Sequence, residues 1–211
     1  MKMSLSMLMY LAAALLSENS YATDVSIARV RNFGNGCPAN SIQVVLSPEG
    51  TTLSILYSQF QADVGGPAPA STLRDCEIDI ELNKALHSIP QISSADFRGF
   101  IQLDPGVGAQ EWSEIDMDGG QYLHVFARHL FNGPLSQNYL LKGQVPWRSK
   151  QVLQCGNEAT TQLRIRAHFQ LAGGTSQKLG LMSVDSLDGV LMHTYHLGWR
   201  NCAPKNPWGH K

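Results

Sequence analysis

Cys76-Glu77-Ile78-Asp79-Ile80-Glu81-Leu82 is the stretch that decides the fold. Apolar and acidic side chains alternate through it without a break, the period of an extended strand with one face buried and the other wet. Cys76, Ile78, Ile80 and Leu82 take the inner face, and three carboxylates take the outer one. The same habit continues on either side. Residues 41–47 bring Ile42, Val44 and Leu46 together, and residues 51–58 bring Leu53, Ile55 and Tyr57 together. Between these runs, Ser47-Pro48-Glu49-Gly50 carries Pro and Gly where a type I hairpin turn wants them.

Residues 97–103, 121–131, 162–171, 179–184 and 191–200 alternate in the same way, each bounded by Gly, Pro, Asn or Asp. Helical spacing is nearly absent, and a short helical turn is expected only at 71–74 and 83–88. The expectation is an all-β, antiparallel β-sandwich of jelly-roll-like form with about 8–11 strands. Residues 63–71 (DVGGPAPAS) are too short a linker to divide it.

The chain opens with Lys2, an uncharged apolar run from Met3 to Leu16, and small side chains at Ser20 and Ala22. This is the pattern of a signal peptide over residues 1–22, cut before Thr23. The run falls short of the roughly 20 residues a membrane-spanning helix needs, so no membrane span is expected. Residues 23–211 are then expected to form a single secreted domain, extracellular or periplasmic. Net charge is −1 and charged residues make up 16% of the chain. No basic excess draws the chain toward nucleic acid.

Behind an export signal, an even number of cysteines reads as two disulfides. Cys37, Cys76, Cys155 and Cys202 allow three pairings. Sequential pairing, Cys37 with Cys76 and Cys155 with Cys202, is favoured, and each loop would contribute roughly 4 kcal/mol. None of the four stands in a close CxxC pair, which argues against zinc.

Several landmarks stand in order along the chain. Gly36-Cys37-Pro38 precedes Ser41-Ile42-Gln43-Val44-Val45-Leu46, and Arg74-Asp75-Cys76 opens a strand. Phe97-Arg98-Gly99-Phe100 follows, then Cys155-Gly156, and finally Tyr195-His196-Leu197-Gly198-Trp199-Arg200-Asn201-Cys202. This pattern resembles the domain of unknown function 4360 family, small secreted proteins of fungi and bacteria, over about residues 34–202. The resemblance implies secretion, an all-β fold and four cysteines, and it brings no catalytic residue.

The acidic strand is the sharpest candidate for chemistry. Glu77, Asp79 and Glu81 point the same way, and the string resembles the Glu-x-Asp-x-Glu strand of laminarinase- and lichenase-like glycoside hydrolases. By that resemblance Glu77 would be the nucleophile, Asp79 its modulator and Glu81 the acid/base. Retaining hydrolysis needs two carboxyl groups about 5 Å apart. Residues four apart on a straight strand are separated by roughly 13 Å, so only a concave strand would bring them together. Arg164, Arg166 and His168 alternate on residues 162–171 and offer a plainer alternative, a charge ladder facing the acids.

Asp116-Met117-Asp118-Gly119-Gly120 and Asp185-Ser186-Leu187-Asp188-Gly189 each match part of a calcium loop but lack its distal glutamate, and Asp-Gly is first a hairpin turn. The seven histidines contain no HExxH and no His-x-His pair on one strand face. No cofactor or metal is expected. Trp199 reads as packing near Cys202. Trp112 and Trp147, with Trp208, fall where loops are expected and are candidate contacts with carbohydrate or a protein surface. The first reading is a non-enzymatic secreted binding or envelope-associated module. The alternatives are a secreted glycoside hydrolase using the acidic strand and a secreted inhibitor of a foreign enzyme.

Overall fold

A computed structural model describes residues 25–118, 123–144, 158–184 and 192–201. Among them are twelve strands: β1 (Ser26–Phe33), β2 (Ile42–Leu46), β3 (Thr52–Tyr57), β4 (Gln61–Val64), β5 (Ser71–Asn83), β6 (Ser88–Leu103), β7 (Gly108–Met117), β8 (Leu123–Asn132), β9 (Leu135–Gln144), β10 (Thr160–Ala172), β11 (Gly180–Ser183) and β12 (Met192–Asn201). They form two sheets, and every pairing is antiparallel. One sheet has five strands in the order β1-β5-β10-β7-β8. The other runs β2-β3-β12-β6-β11-β4, with β9 on the second edge of β6.

The count lies just above the expected range of about 8–11, because β1, β7 and β9 lack a clean apolar alternation and β4, which does alternate, is only four residues long. Residues 71–74 and 83–88 are not helical. The first four residues of β5 pair with the end of β10, since Thr72 and Arg74 alternate with Leu73 as strand residues do. Residues 84–87 form the turn into β6, with Ser88 N donating to Ala85 O at 3.2 Å. The hairpin at 47–50 forms as its residues dictate. Gly50 adopts φ 66° and donates to Ser47 O at 2.8 Å.

Side chains of both inner faces meet in one core. Cys76, Ile78, Ile80 and Leu82 of β5 and Leu163, Ile165, Phe169 and Leu171 of β10 are all 0–1% exposed. Phe60 stacks on Phe169 with ring centroids 4.2 Å apart. The Cys37–Cys76 disulfide, Cα–Cα 5.2 Å, ties the segment after β1 to the middle of β5. Gly36 lets that segment close in: its backbone N donates to Asp75 O at 2.9 Å, and a Cβ there would fall 2.6 Å from the Phe60 ring. Cys155 and Cys202 lie outside the described residues.

One part of the core is polar. Glu111 of β7 and His193 of β12 are 1% and 0% exposed, and Glu111 Oε1 lies 3.0 Å from His193 Nε2. The contact is close but off the hydrogen-bonding direction, so neither atom has a partner with good angles. On the other side of the ring, His193 Nδ1 lies 3.3 Å from the Tyr57 hydroxyl. His193 is also caged edge-on by Phe97 and Tyr57, at 4.9 and 5.1 Å between centroids. The cluster sits between the sheets, bringing β7 of one against β12 of the other.

Candidate functional site

The outer face of the five-stranded sheet collects most of the residues singled out from the sequence. β5 and β10 pair in unbroken register from Ser71↔Ala172 to Asn83↔Thr160, and β7 continues the register on the far side of β10. Alternation then sorts the outward side chains into rows that cross the strands. One row reads Arg29, Glu81, Gln162; the next Arg31, Asp79, Arg164, Asp116; the next Phe33, Glu77, Arg166, Glu114; and the next Asp75, His168, Trp112, Arg128. Basic and acidic strands therefore alternate across the sheet.

The acids of β5 are closed into ion pairs. Arg164 Nε donates to Asp79 Oδ1 at 2.7 Å, Arg166 Nε to Glu77 Oε2 at 2.7 Å, and Arg29 Nε to Glu81 Oε2 at 3.0 Å. The Asp79 hydrogen bond raises the Arg164 guanidinium above its ordinary value, against the opposing effect of burial. His168 Nδ1 meets Asp75 Oδ1 at 2.6 Å. Each half-exposed pair contributes at most about 1 kcal/mol. Their common effect is to lock the outward side chains in a fixed, charge-balanced lattice.

Trp112 is not in a loop. It stands in the middle of β7, stacked on His168 with centroids 4.6 Å apart and an interplanar angle of 9°, and Arg128 lies 5.7 Å from its centroid. Its neighbours in sequence, Glu111 and Ser113, point into the core, so no apolar alternation marks this strand. That is why the ring reads as a loop residue from sequence. Trp147 and Trp208 lie outside the described residues.

Sequence reasoning missed Phe33, the last residue of β1, which is 51% exposed. It lines a groove of about 360 Å³ together with Asp75, Glu77, Arg166 and His168. The signal was available: an aromatic residue closing a short run of alternating basic residues immediately before Gly34. A second cavity, about 60 Å³, opens farther along the same face between the ends of β1, β5, β10 and β7. Asp116 and Asp118 both line it. Asp118 is already committed, accepting from Thr161 Oγ1 at 2.8 Å and Gln162 N at 2.7 Å. Among the described residues no group of three His, Cys, Asp or Glu side chains is placed to hold a metal. The Asp185–Asp188 candidate lies outside the described residues.

Residues 23–202 match the family described as "Domain of unknown function (DUF4360)". The chain belongs to that family. A relative from Arthroderma benhamiae, described as an "Uncharacterized secreted protein", is 26% identical over 180 residues, 85% of this chain and 72% of the relative. Among solved structures, the chain is similar to TmCBM61 in complex with β-1,4-galactotriose, at 10% identity over 82% of this chain and 90% of that one, with a TM-score of 0.26. It is also similar to the infectious bursal disease virus Gx strain structure, at 9% identity over 84% of this chain and 45% of that one, with a TM-score of 0.22. Superpositions this loose carry no argument about ligand. No helix among the described residues is long and apolar enough to cross a membrane.

Proposed function

We propose that this DUF4360 chain is a secreted, non-enzymatic binding module that engages carbohydrate through the outer face of its five-stranded sheet. On this reading residues 1–22 direct export, and Cys155 pairs with Cys202 in the oxidised chain. The observation that carries the proposal is the pairing of Glu77, Asp79 and Glu81 with arginines on a strand without a bulge against β10. A glycosidase needs one carboxyl group held protonated and a second about 5 Å away. Here Glu77, Asp79 and Glu81 each already hold an arginine, and four residues along an extended strand set Glu77 and Glu81 roughly 13 Å apart at Cα. What the same residues do supply is a rigid set of donors and acceptors beside an exposed aromatic ring. Sugars are bound by such combinations, with ring C–H groups against an aromatic face and hydroxyls against fixed polar groups.

The test is a glycan-array and pull-down screen with the oxidised chain beginning at Thr23, followed by Phe33→Ala and Trp112→Ala. Retention on a glycan that falls in Phe33→Ala with an unchanged melting temperature supports the proposal. Release of reducing sugar from that glycan, lost in Glu77→Gln, would replace it with the hydrolase reading.

A further inference from the structure

Asp116 is only 6% exposed, and its Oδ1 is buried with no hydrogen-bond partner. It lines the 60 Å³ cavity at the charged end of the outer face. A buried carboxylate oxygen without a donor is costly, and native structures rarely leave one so. Arg164, directly across on β10, is engaged by Asp79 at 2.7 Å and by Glu77 at 3.3 Å. On the opposite side of the cavity stands Arg31, exposed and without an ion pair or side-chain hydrogen bond among the described residues.

Once the closed pairs are set aside, the cavity keeps one acceptor, Asp116, and one donor, Arg31, with the Gln162 amide between them. A metal ion would face Arg31 and Arg164. An anion would face Asp79, Asp116 and Asp118. A neutral group that both donates and accepts meets neither repulsion, and neighbouring sugar hydroxyls are such a group. The volume suits a few water-sized polar atoms, the edge of one ring and not a whole one.

We infer that the Asp116–Arg31 cavity is a hydroxyl-binding subsite for a neutral sugar, with Asp116 accepting from one hydroxyl and Arg31 donating to its neighbour. The inference rests on the proposed carbohydrate-binding reading and extends it. The Phe33 groove is centred on Asp75 and Glu77 and the cavity on Asp79 and Glu81, a separation of roughly 13 Å along the strand. The ligand that fills both is therefore an extended oligosaccharide. A monosaccharide reaches only one.

The experiment is calorimetric titration of the oxidised chain with β-linked tetrasaccharides of glucose, xylose, galactose and N-acetylglucosamine, with glycine and calcium chloride as further arms. A tetrasaccharide that binds the native chain and loses about tenfold in affinity in Asp116→Asn, with a smaller loss in Arg31→Ala, supports the subsite. Asn is isosteric and uncharged, and Arg31 is exposed, so both variants keep the fold; melting temperatures check this. Binding unchanged in Asp116→Asn but lost in Phe33→Ala overturns the subsite and leaves the binding-module reading standing. Binding of glycine or calcium that depends on Asp116 overturns the sugar assignment. If none of the four tetrasaccharides binds at millimolar concentration, the subsite is overturned, and the array screen alone decides the broader reading.

Discussion

Glu111 Oε1 and His193 Nε2 lie 3.0 Å apart at the centre of the sandwich and connect β7 of one sheet to β12 of the other. Both side chains are almost wholly buried, at 2% and 1% exposure. An acid and a base placed this way are far more costly to separate than to remove together. Glu111→Ala should cost about 1–3 kcal/mol, because it takes the nearest polar neighbour from the buried His193 Nε2. Replacing both by apolar residues, Glu111→Leu with His193→Phe, should cost much less than the single change. Urea denaturation of the single and double variants checks this. A double variant less stable than Glu111→Ala would mean that packing, not the pair, sets the cost.

Alkali should act on the same core. Burial pushes the Tyr57 phenol well above its ordinary value, helped by Tyr195 and Glu111. Burial and the Glu111 carboxylate do the same to Tyr139. Burial also raises Tyr195, against the lowering effect of its hydrogen bond with Ser113. Above about pH 10 the unfolded chain releases these protons while the folded chain keeps them, so the unfolded state gains. The stability these phenols contribute is fully present below about pH 10 and is lost as the pH climbs, by up to about 1.4 kcal/mol per pH unit for each. Tyr57→Phe should flatten that alkaline slope by roughly a third. Denaturant midpoints measured from neutral pH to beyond pH 10 give the slope, and a slope identical in Tyr57→Phe would refute this account.

The Cys37–Cys76 bond closes a loop with a sequence separation of 39. Cys37→Ser with Cys76→Ala should lower stability by roughly 4 kcal/mol. If Cys155 and Cys202 are paired as well, the unreduced, denatured chain takes up no alkylating agent. Mass spectrometry reads this directly, and one labelled cysteine disproves full pairing.

What was legible in the sequence depended on which side chains face inward. β10 is legible nearly in full and β5 over Cys76–Leu82, because their inner faces there are apolar and their outer faces polar or charged; the start of β5, with Thr72 and Arg74 on that inner side, reads instead as a helical turn. The ladder of Arg164 on Asp79 and Arg166 on Glu77 follows from that alternation and the antiparallel register. β7 was invisible because its inner face carries Glu111 and Ser113 while Trp112 faces out, which inverts the expected pattern. The residues that hide the strand are the same ones that build the polar core and the stacked tryptophan. The Asp116 cavity was half legible. The acidic string around it is plain in the sequence, but burial of one carboxylate and separation of Arg31 by two strands are properties of the assembled sheet. β9 is hidden for a different reason: only Tyr139 and Gly143 along it are buried, too sparse a pattern to mark a strand.

That sparse edge strand gives a sharp test of packing. Tyr139 pairs with Gly99 of β6, and its ring occupies the space a side chain at 99 would fill. A Cβ on Gly99 would fall 2.3 Å from Tyr139 Cζ and 2.2 Å from its hydroxyl oxygen. The ring cannot yield cheaply, because it is 6% exposed and packs against Phe131 with centroids 5.3 Å apart. Gly99→Ala should therefore cost about 1–3 kcal/mol. Gly198 of β12, also paired with β6, provides the control: its added Cβ would meet nothing nearer than Gln91 O at 3.9 Å. Gly198→Ala should stay within about 0.5 kcal/mol of the native chain. Because both glycines sit in strands, intrinsic preference for extended backbone changes alike in the two variants, and the difference between them isolates the Tyr139 contact. Equal denaturant midpoints for the two would mean that Tyr139 swings out freely and that β9 is not held against β6 by this ring.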